Sequence, residues 1–118
     1  MAPIALTRES FAGTVQSDDI VFVDFWAAWC GPCVRFAPVF DAAAEAHPEI
    51  TFAKVDTDAE TALAGGLGIQ SIPTLMGFRE GYLVFRQSGA LSSSQFEKAI
   101  TEVKNLDMEK LKSEAVGH

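Results

Sequence analysis

The chain has 118 residues, the size of one compact domain, and 48% of them are apolar, including 9 Phe and 2 Trp. That composition supports a packed core and excludes disorder as an overall reading. Sixteen acidic residues against nine basic give a net charge of -7. The basic residues are scattered, so the basic stripe of a nucleic-acid surface is missing, and no apolar run approaches the roughly 20 residues that span a bilayer.

Residues 1–9 contain no basic region followed by an apolar stretch. No signal peptide is read there, and a cytoplasmic location is expected. Ile4 to Leu6 reads as a short edge strand after Pro3. Thr7 is a candidate N-cap for a short helix carrying Phe11 and Val15. Residues 20–26, IVFVDFW, are nearly all apolar, β-branched or aromatic, which predicts a strand buried on both faces.

Gly31 and Pro32 open the next helix, since Pro at the first turn loses no needed N–H. Phe36, Ala37, Val39, Phe40, Ala43 and Ala44 recur at helical spacing, with Pro38 inside as a kink and Pro48 as a stop. Residues 51–56 read as a second central strand. Asp58 is read as the cap of a helix running to about Ala64, ended by Gly65, Gly66 and Gly68. The two adjacent glycines make fraying expected there. Residues 74–79 and 82–86 form a hairpin around Glu80-Gly81. Ser92 or Ser93 caps a helix carrying Phe96, Ile100 and Val103. The order β-α-β-α-β-α-β-β-α predicts an α/β fold, a mixed sheet of about five strands with helices on both faces. Residues 1–104 form this domain. Residues 105–118 read as a polar tail with a weak helical pattern at Leu106, Met108 and Leu111.

The only cysteines, Cys30 and Cys33, lie within four residues. A disulfide between them closes a tiny loop and constrains the unfolded chain little, so a chemical role is favoured over a structural one. They join the end of a buried strand to the start of a helix. There the dipole and unpaired N–H groups stabilise a thiolate, which is the nucleophile. Cys30 is expected to be exposed and to attack, and Cys33, in the first turn, to be less accessible and to resolve. A bare CxxC is also half of a zinc site, but structural zinc usually takes four Cys or His ligands. Only His47 and His118 remain to complete one, so no metal is expected.

The segment FWAAWCGPC, residues 25–33, closely resembles the active-site signature of thioredoxins. Ala37-Pro38 resembles that family's helix-kinking proline, residues 53–56 its third strand, residues 71–74 its substrate loop, and residues 88–91 its glycine loop. The resemblance runs from about residue 7 to 103. It implies a thioredoxin fold and a dithiol, Cys30 and Cys33, that reduces protein disulfides through a mixed disulfide and closes into an internal one. It also implies no bound cofactor, with electrons arriving from NADPH through a flavin-containing thioredoxin reductase. The implied partners are that reductase and disulfide-containing clients, with the chain acting as a monomer.

Single residues carry two readings each. By pattern, Asp24 is either a strand-end carboxylate or a buried acid of raised pKa. The resemblance makes it the buried aspartate that takes the proton of the resolving cysteine through water, and Lys54 its partner. X-Pro bonds are cis in only about 5–6% of cases, yet the resemblance implies a cis Ile72-Pro73 bond facing the cysteines. It likewise implies a flat apolar docking surface of Trp29, Gly31, Pro32, Ile72, Pro73 and Gly89, where Ile72 backbone pairs with an extended client. Trp26 is read as packing beneath it. In this family the Gly31-Pro32 pair accompanies reductases. Many members carry a lysine directly after the second cysteine, where this chain has Val34 followed by Arg35. A dedicated isomerase or single-client reductase, and a non-catalytic binding module, are the competing readings.

Overall fold

A computed structural model describes residues 2–116. Its elements, in chain order, are β1 (Ile4–Ala5), α1 (Arg8–Ser17), β2 (Ile20–Trp26), α2 (Gly31–Ala46), β3 (Thr51–Asp56), α3 (Thr61–Gly66), β4 (Thr74–Arg79), β5 (Tyr82–Ser88), α4 (Ser93–Lys104) and α5 (Met108–Val116). The strands form one sheet in the order β1-β3-β2-β4-β5. β1, β3 and β2 run parallel, while β4 and β5 are antiparallel. The α/β alternation followed by a hairpin therefore gives the mixed five-stranded sheet that the sequence order predicts.

β2 sits at the centre because its side chains are buried on both faces. Ile20 and Phe22 point into a cluster with Phe36 and Phe40 of α2, Phe52 of β3 and Phe96 of α4. Val21, Val23 and Phe25 point the other way, into a second cluster with Phe11 and Val15 of α1. Gly77 of β4 is required by this packing, since a Cβ there would lie 2.9 Å from Phe22 Cε1 and 3.1 Å from Phe85 Cβ. The hairpin turn places Glu80 and Gly81 at φ of 52° and 86°, the left-handed pair that matches the twist of adjoining strands.

The helix starts follow local chemistry. Thr7 precedes α1, with the Ser10 hydroxyl accepting from the Thr7 N–H at 2.9 Å. Ser92, not Ser93, caps α4, in a reciprocal box with Gln95. α2 continues through Pro38 and ends at His47, before Pro48.

One helix start differs from its sequence reading. Asp58 does not cap α3, which begins at Thr61 after Glu60. Asp56 takes the capping role in the turn instead, its Oδ1 accepting from the N–H groups of Asp58 and Ala59 at 2.9 and 3.3 Å. The tail beyond residue 105 carries α5, whose Met108 is buried. Arg79 at the end of β4 holds the approach to α5 by donating from Nη1 to the carbonyls of Val103, Lys104 and Leu106. Lys112 of α5 pairs with Glu80 in the hairpin turn. His118 lies outside the described residues.

Candidate active site

The parallel strand β2 ends at Trp26, and α2 starts at Gly31 after a link of four residues. Cys30 is the N-cap of α2, with Gly31 and Pro32 in its first turn. The Cys30 N–H donates to the Ala27 carbonyl at 3.2 Å, which folds the link back toward the strand. Cys33, one turn on, is joined to Cys30 by a disulfide across a Cα–Cα distance of 5.2 Å. The Cys33 backbone N–H points at Cys30 Sγ, 3.2 Å away. A sulfur in the N-cap position thus occupies the place of a capping oxygen, and a thiolate there would gain a charge-assisted bond.

Both sulfurs are nevertheless shielded. Cys30 is 4% exposed and Cys33 3%, so the expected contrast in accessibility between them is absent in this disulfide state. The cause is long-range: Ile72 and Trp26 pack over the pair and Ala27. The Ile72 carbonyl oxygen lies 3.6 Å from Cys30 Sγ. It can accept a hydrogen bond from that sulfur only once the disulfide is reduced to a thiol.

On β2, two residues before its end at Trp26, Asp24 is fully buried. Neither carboxyl oxygen has a hydrogen-bond partner. Burial raises its pKa to about 7, opposed by the charge of Lys54 and assisted by that of Asp41. Lys54 faces Asp24 directly in the β2–β3 register. Its ammonium lies 5.2 Å from the centroid of the Trp26 ring, so the lysine is shared between a carboxylate and an aromatic face.

The mouth of the site is apolar. Trp29 is 71% exposed and Val34 59%. Gly31, Pro32 and Gly89 are exposed too, and Ile72 is half-buried. The Ile72-Pro73 bond is cis. Pro73 itself is buried, because its carbonyl is tied to the N–H of Gly89 at 2.8 Å and β4 begins immediately after it. It therefore underlies the surface proposed from the sequence rather than forming part of it. Gly89, at φ +92°, takes a backbone conformation that a side chain would strain.

Three contacts around the site were not legible in the sequence. Asp58 Oδ2 accepts from Trp29 Nε1 at 2.9 Å and fixes the indole. Arg35 stands one turn above Gly31, and a Cβ at Gly31 would lie 3.5 Å from its Nη1. A long helical side chain leans toward the N-terminus, so the spacing of Gly31 and Arg35 contained that signal. Arg86 of β5 bonds the loop that leads to Ile72, donating to the Leu67 and Gly68 carbonyls.

For the zinc reading, His47 lies at the far end of α2, where it engages Glu97 at 2.8 Å and Glu49 at 3.6 Å. No group of three or more His, Cys, Asp or Glu that could hold a metal occurs among the described residues. Among them, too, no helix is long and apolar enough to cross a membrane.

Two sulfurs joined at a helix start, one of them facing a backbone N–H that favours its thiolate, define a thiol–disulfide oxidoreductase. The sequence matches the thioredoxin family over residues 2–102. It is 48% identical over 109 residues to putative thioredoxin 2 of Streptomyces coelicolor, covering 92% of this chain and 81% of that one. It is 42% identical to thioredoxin of Alicyclobacillus acidocaldarius, over 86% of this chain and 98% of that one. Among solved structures, a mutant thioredoxin from Halobacterium salinarum superposes with a TM-score of 0.82 at 30% identity, over 89% of this chain and 93% of that one. The chain belongs to the thioredoxin family. It is a protein-disulfide oxidoreductase whose redox-active pair is Cys30 and Cys33.

Proposed function

We infer that the protein is a general disulfide reductase in which Cys30 attacks and Cys33 resolves. The Cys30 thiolate attacks one sulfur of a client disulfide, forming a mixed disulfide and releasing the other client sulfur as a thiolate that picks up a proton. Cys33 then loses its proton, attacks Cys30 Sγ, and expels the second client sulfur. The client gains two electrons and two protons, and the Cys30–Cys33 disulfide closes.

The observation that carries this assignment is the Cys33 N–H directed at Cys30 Sγ in the N-cap position. It favours the thiolate on Cys30. Asp24, buried and with a pKa of about 7, suits a base that takes the Cys33 proton through water, with Lys54 tuning it. Trp29, Gly31, Pro32, Ile72 and Gly89 would receive the client around buried Pro73. The oxidised pair would be reset by a flavin-containing reductase drawing on NADPH. We place this cycle in the cytoplasm, with the chain a monomer, residues 1–104 as the catalytic unit and 105–118 as an accessory tail.

The test is capture. Cys33→Ser reacted with disulfide-bearing clients should accumulate mixed disulfides on Cys30, identifiable by mass spectrometry. Equal capture through Cys33 in the reciprocal Cys30→Ser variant would overturn the assignment of attacker and resolver. Reduction of insulin by the wild-type protein, with NADPH and a thioredoxin reductase as the electron source, tests the recycling step.

A further inference from the structure

The wall of the docking groove opposite α2 is built from weak parts. Trp29 faces Gly65, Ile69, Gln70 and Ile72 across a groove that also includes Thr57 and Ala64. Residues 69–73 carry no helix or strand. They follow α3, six residues long with Gly65 and Gly66 at its end. A Cβ at either glycine would meet nothing within 4 Å, so no crowding demands glycine at either position. Each glycine weakens the helix relative to alanine.

α3 ends with Gly68 at φ +71°. The Ile69 N–H returns to the Ala64 carbonyl and the Gly68 N–H to that of Gly65, the pairing that closes a helix on a left-handed residue. The next carbonyls, Leu67 and Gly68, face Arg86 of β5. Arg86 Nη1 donates to Leu67 O at 3.0 Å and Nη2 to Gly68 O at 2.8 Å. Arg86 pairs with Met76 in the β4–β5 register, and Met76 lies in the same cluster as Leu67 and Ile69. The planar fork therefore ties the loop to the rigid sheet at two successive carbonyls, a geometry that a lysine cannot reproduce. On its other side the loop is held by Thr74 Oγ1 donating to Ser71 O at 2.6 Å and by Gly89 N–H donating to Pro73 O.

We propose that Arg86 is a positioning residue for client docking: its fork on the Leu67 and Gly68 carbonyls sets where Ile69, Gln70 and Ile72 stand against Trp29, and so sets the affinity for protein clients without touching the dithiol chemistry. This rests on the reductase reading above. It assigns to β5, which contributes no residue to the dithiol, control over the soft wall of the groove. The clamp acts on a segment whose own helix is too weak to fix it.

The experiment compares wild type, Arg86→Ala, Arg86→Lys, and Arg86→Ala combined with Gly66→Ala, each checked for folding by circular dichroism. Removing the two bonds should raise KM for insulin about fivefold with kcat within about twofold. The rate with the small disulfide DTNB, which needs no groove, should stay unchanged. Amide exchange at Ile69 and Gln70 should quicken. Arg86→Lys keeps the charge but loses the fork, so it should retain most of the defect. Gly66→Ala stiffens α3 and should recover part of the KM. An unmoved KM, an equal loss with DTNB, or full recovery by lysine would overturn the proposal, the last by showing that charge attraction to the client is what matters. Wild-type protein that reduced neither disulfide would sink the reductase reading instead, and the exchange rates at Ile69 and Gln70 would still report whether the clamp holds the loop.

Discussion

Phe22 and Asp24 stand two residues apart on β2, point to the same face of the sheet and are equally inaccessible to solvent. Around Phe22 every neighbour is complementary. Its ring packs against Phe96 at 5.4 Å, Phe52 at 6.1 Å and Phe85 at 6.4 Å. Around Asp24 the opposite holds, since a carboxyl group with no hydrogen-bond partner occupies a position that an apolar residue would fill. One strand thus carries a stabilising end and a destabilising end. The destabilising end is also the one whose carboxyl group can hold or release a proton near neutral pH. Removing partners from a buried carboxylate is what moves its pKa into that range.

If the Phe22 end is the source of stability, its centre should be the most damaging place to cut. Phe96 is fully buried and packs against Phe22, Phe36, Phe40 and Phe52 at 5.4 to 6.1 Å. Phe96→Ala should cost about 3–5 kcal/mol by urea unfolding, with the specific activity of the folded fraction kept. A loss below about 1 kcal/mol would mean that the cluster repacks and the contrast is weaker than drawn.

At the other end, the expected sign is reversed. The Asp24 carboxyl titrates near 3.8 when unfolded and at about 7 when folded. Between those values the folded state binds more protons than the unfolded one, so stability falls as pH rises. Below about 4 the group costs little, and above about 7 the loss is complete, on the order of 4 kcal/mol. Asp24→Asn should remove that slope and leave the protein more stable than wild type at pH 8. The same variant should resolve mixed disulfides more slowly, with no inflection near pH 7. An unchanged stability slope would show that Asp24 keeps its charge in the fold.

A subtler cut tests how tightly the stable end is fitted. Gly77→Ala would place a methyl 2.9 Å from Phe22 Cε1, forcing the ring or β4 to move. Overpacking of this kind costs about 1–3 kcal/mol, readable as a lowered thermal midpoint. Phe22→Leu in the same chain should recover part of it, because the clash is with the ring.

The two ends were not equally readable in the sequence. The Phe22 end was legible because it depends on pattern: the apolar run of β2, the 3.6-residue recurrence of Phe36, Phe40 and Ala44, and the helix bearing Phe96 and Ile100. The position of the dithiol was legible because Gly31 and Pro32 mark a helix start. What pattern could not give were contacts between segments distant in the chain. Asp58 reads as a helix cap because an acidic residue before a helix usually serves there, and its bond to Trp29 spans 29 residues. The shielding of Cys30 comes from Ile72, 42 residues on. The Arg86 fork reaches back to Leu67 and Gly68, 19 and 18 residues away. The tail was half-legible, with a weak periodicity that becomes α5 because Met108 finds a buried place.

The smallest expected effect lies at the exposed rim of the reactive end. Arg35 places its guanidinium over Gly31 at the start of α2, where the helix dipole already favours a thiolate on Cys30. The chain as a whole carries a net charge of -7, a background that opposes a further negative charge. A single exposed cation acts through water and is screened within about 8 Å at physiological ionic strength. Arg35→Ala should therefore raise the pH midpoint for alkylation of reduced Cys30 by only a few tenths of a unit, and the difference from wild type should vanish in about 1 M salt, where the screening length falls to about 3 Å. Arg35→Lys should restore most of it, because a point charge suffices where no fork is made. A shift that survived high salt would mean that Arg35 acts by contact rather than by field.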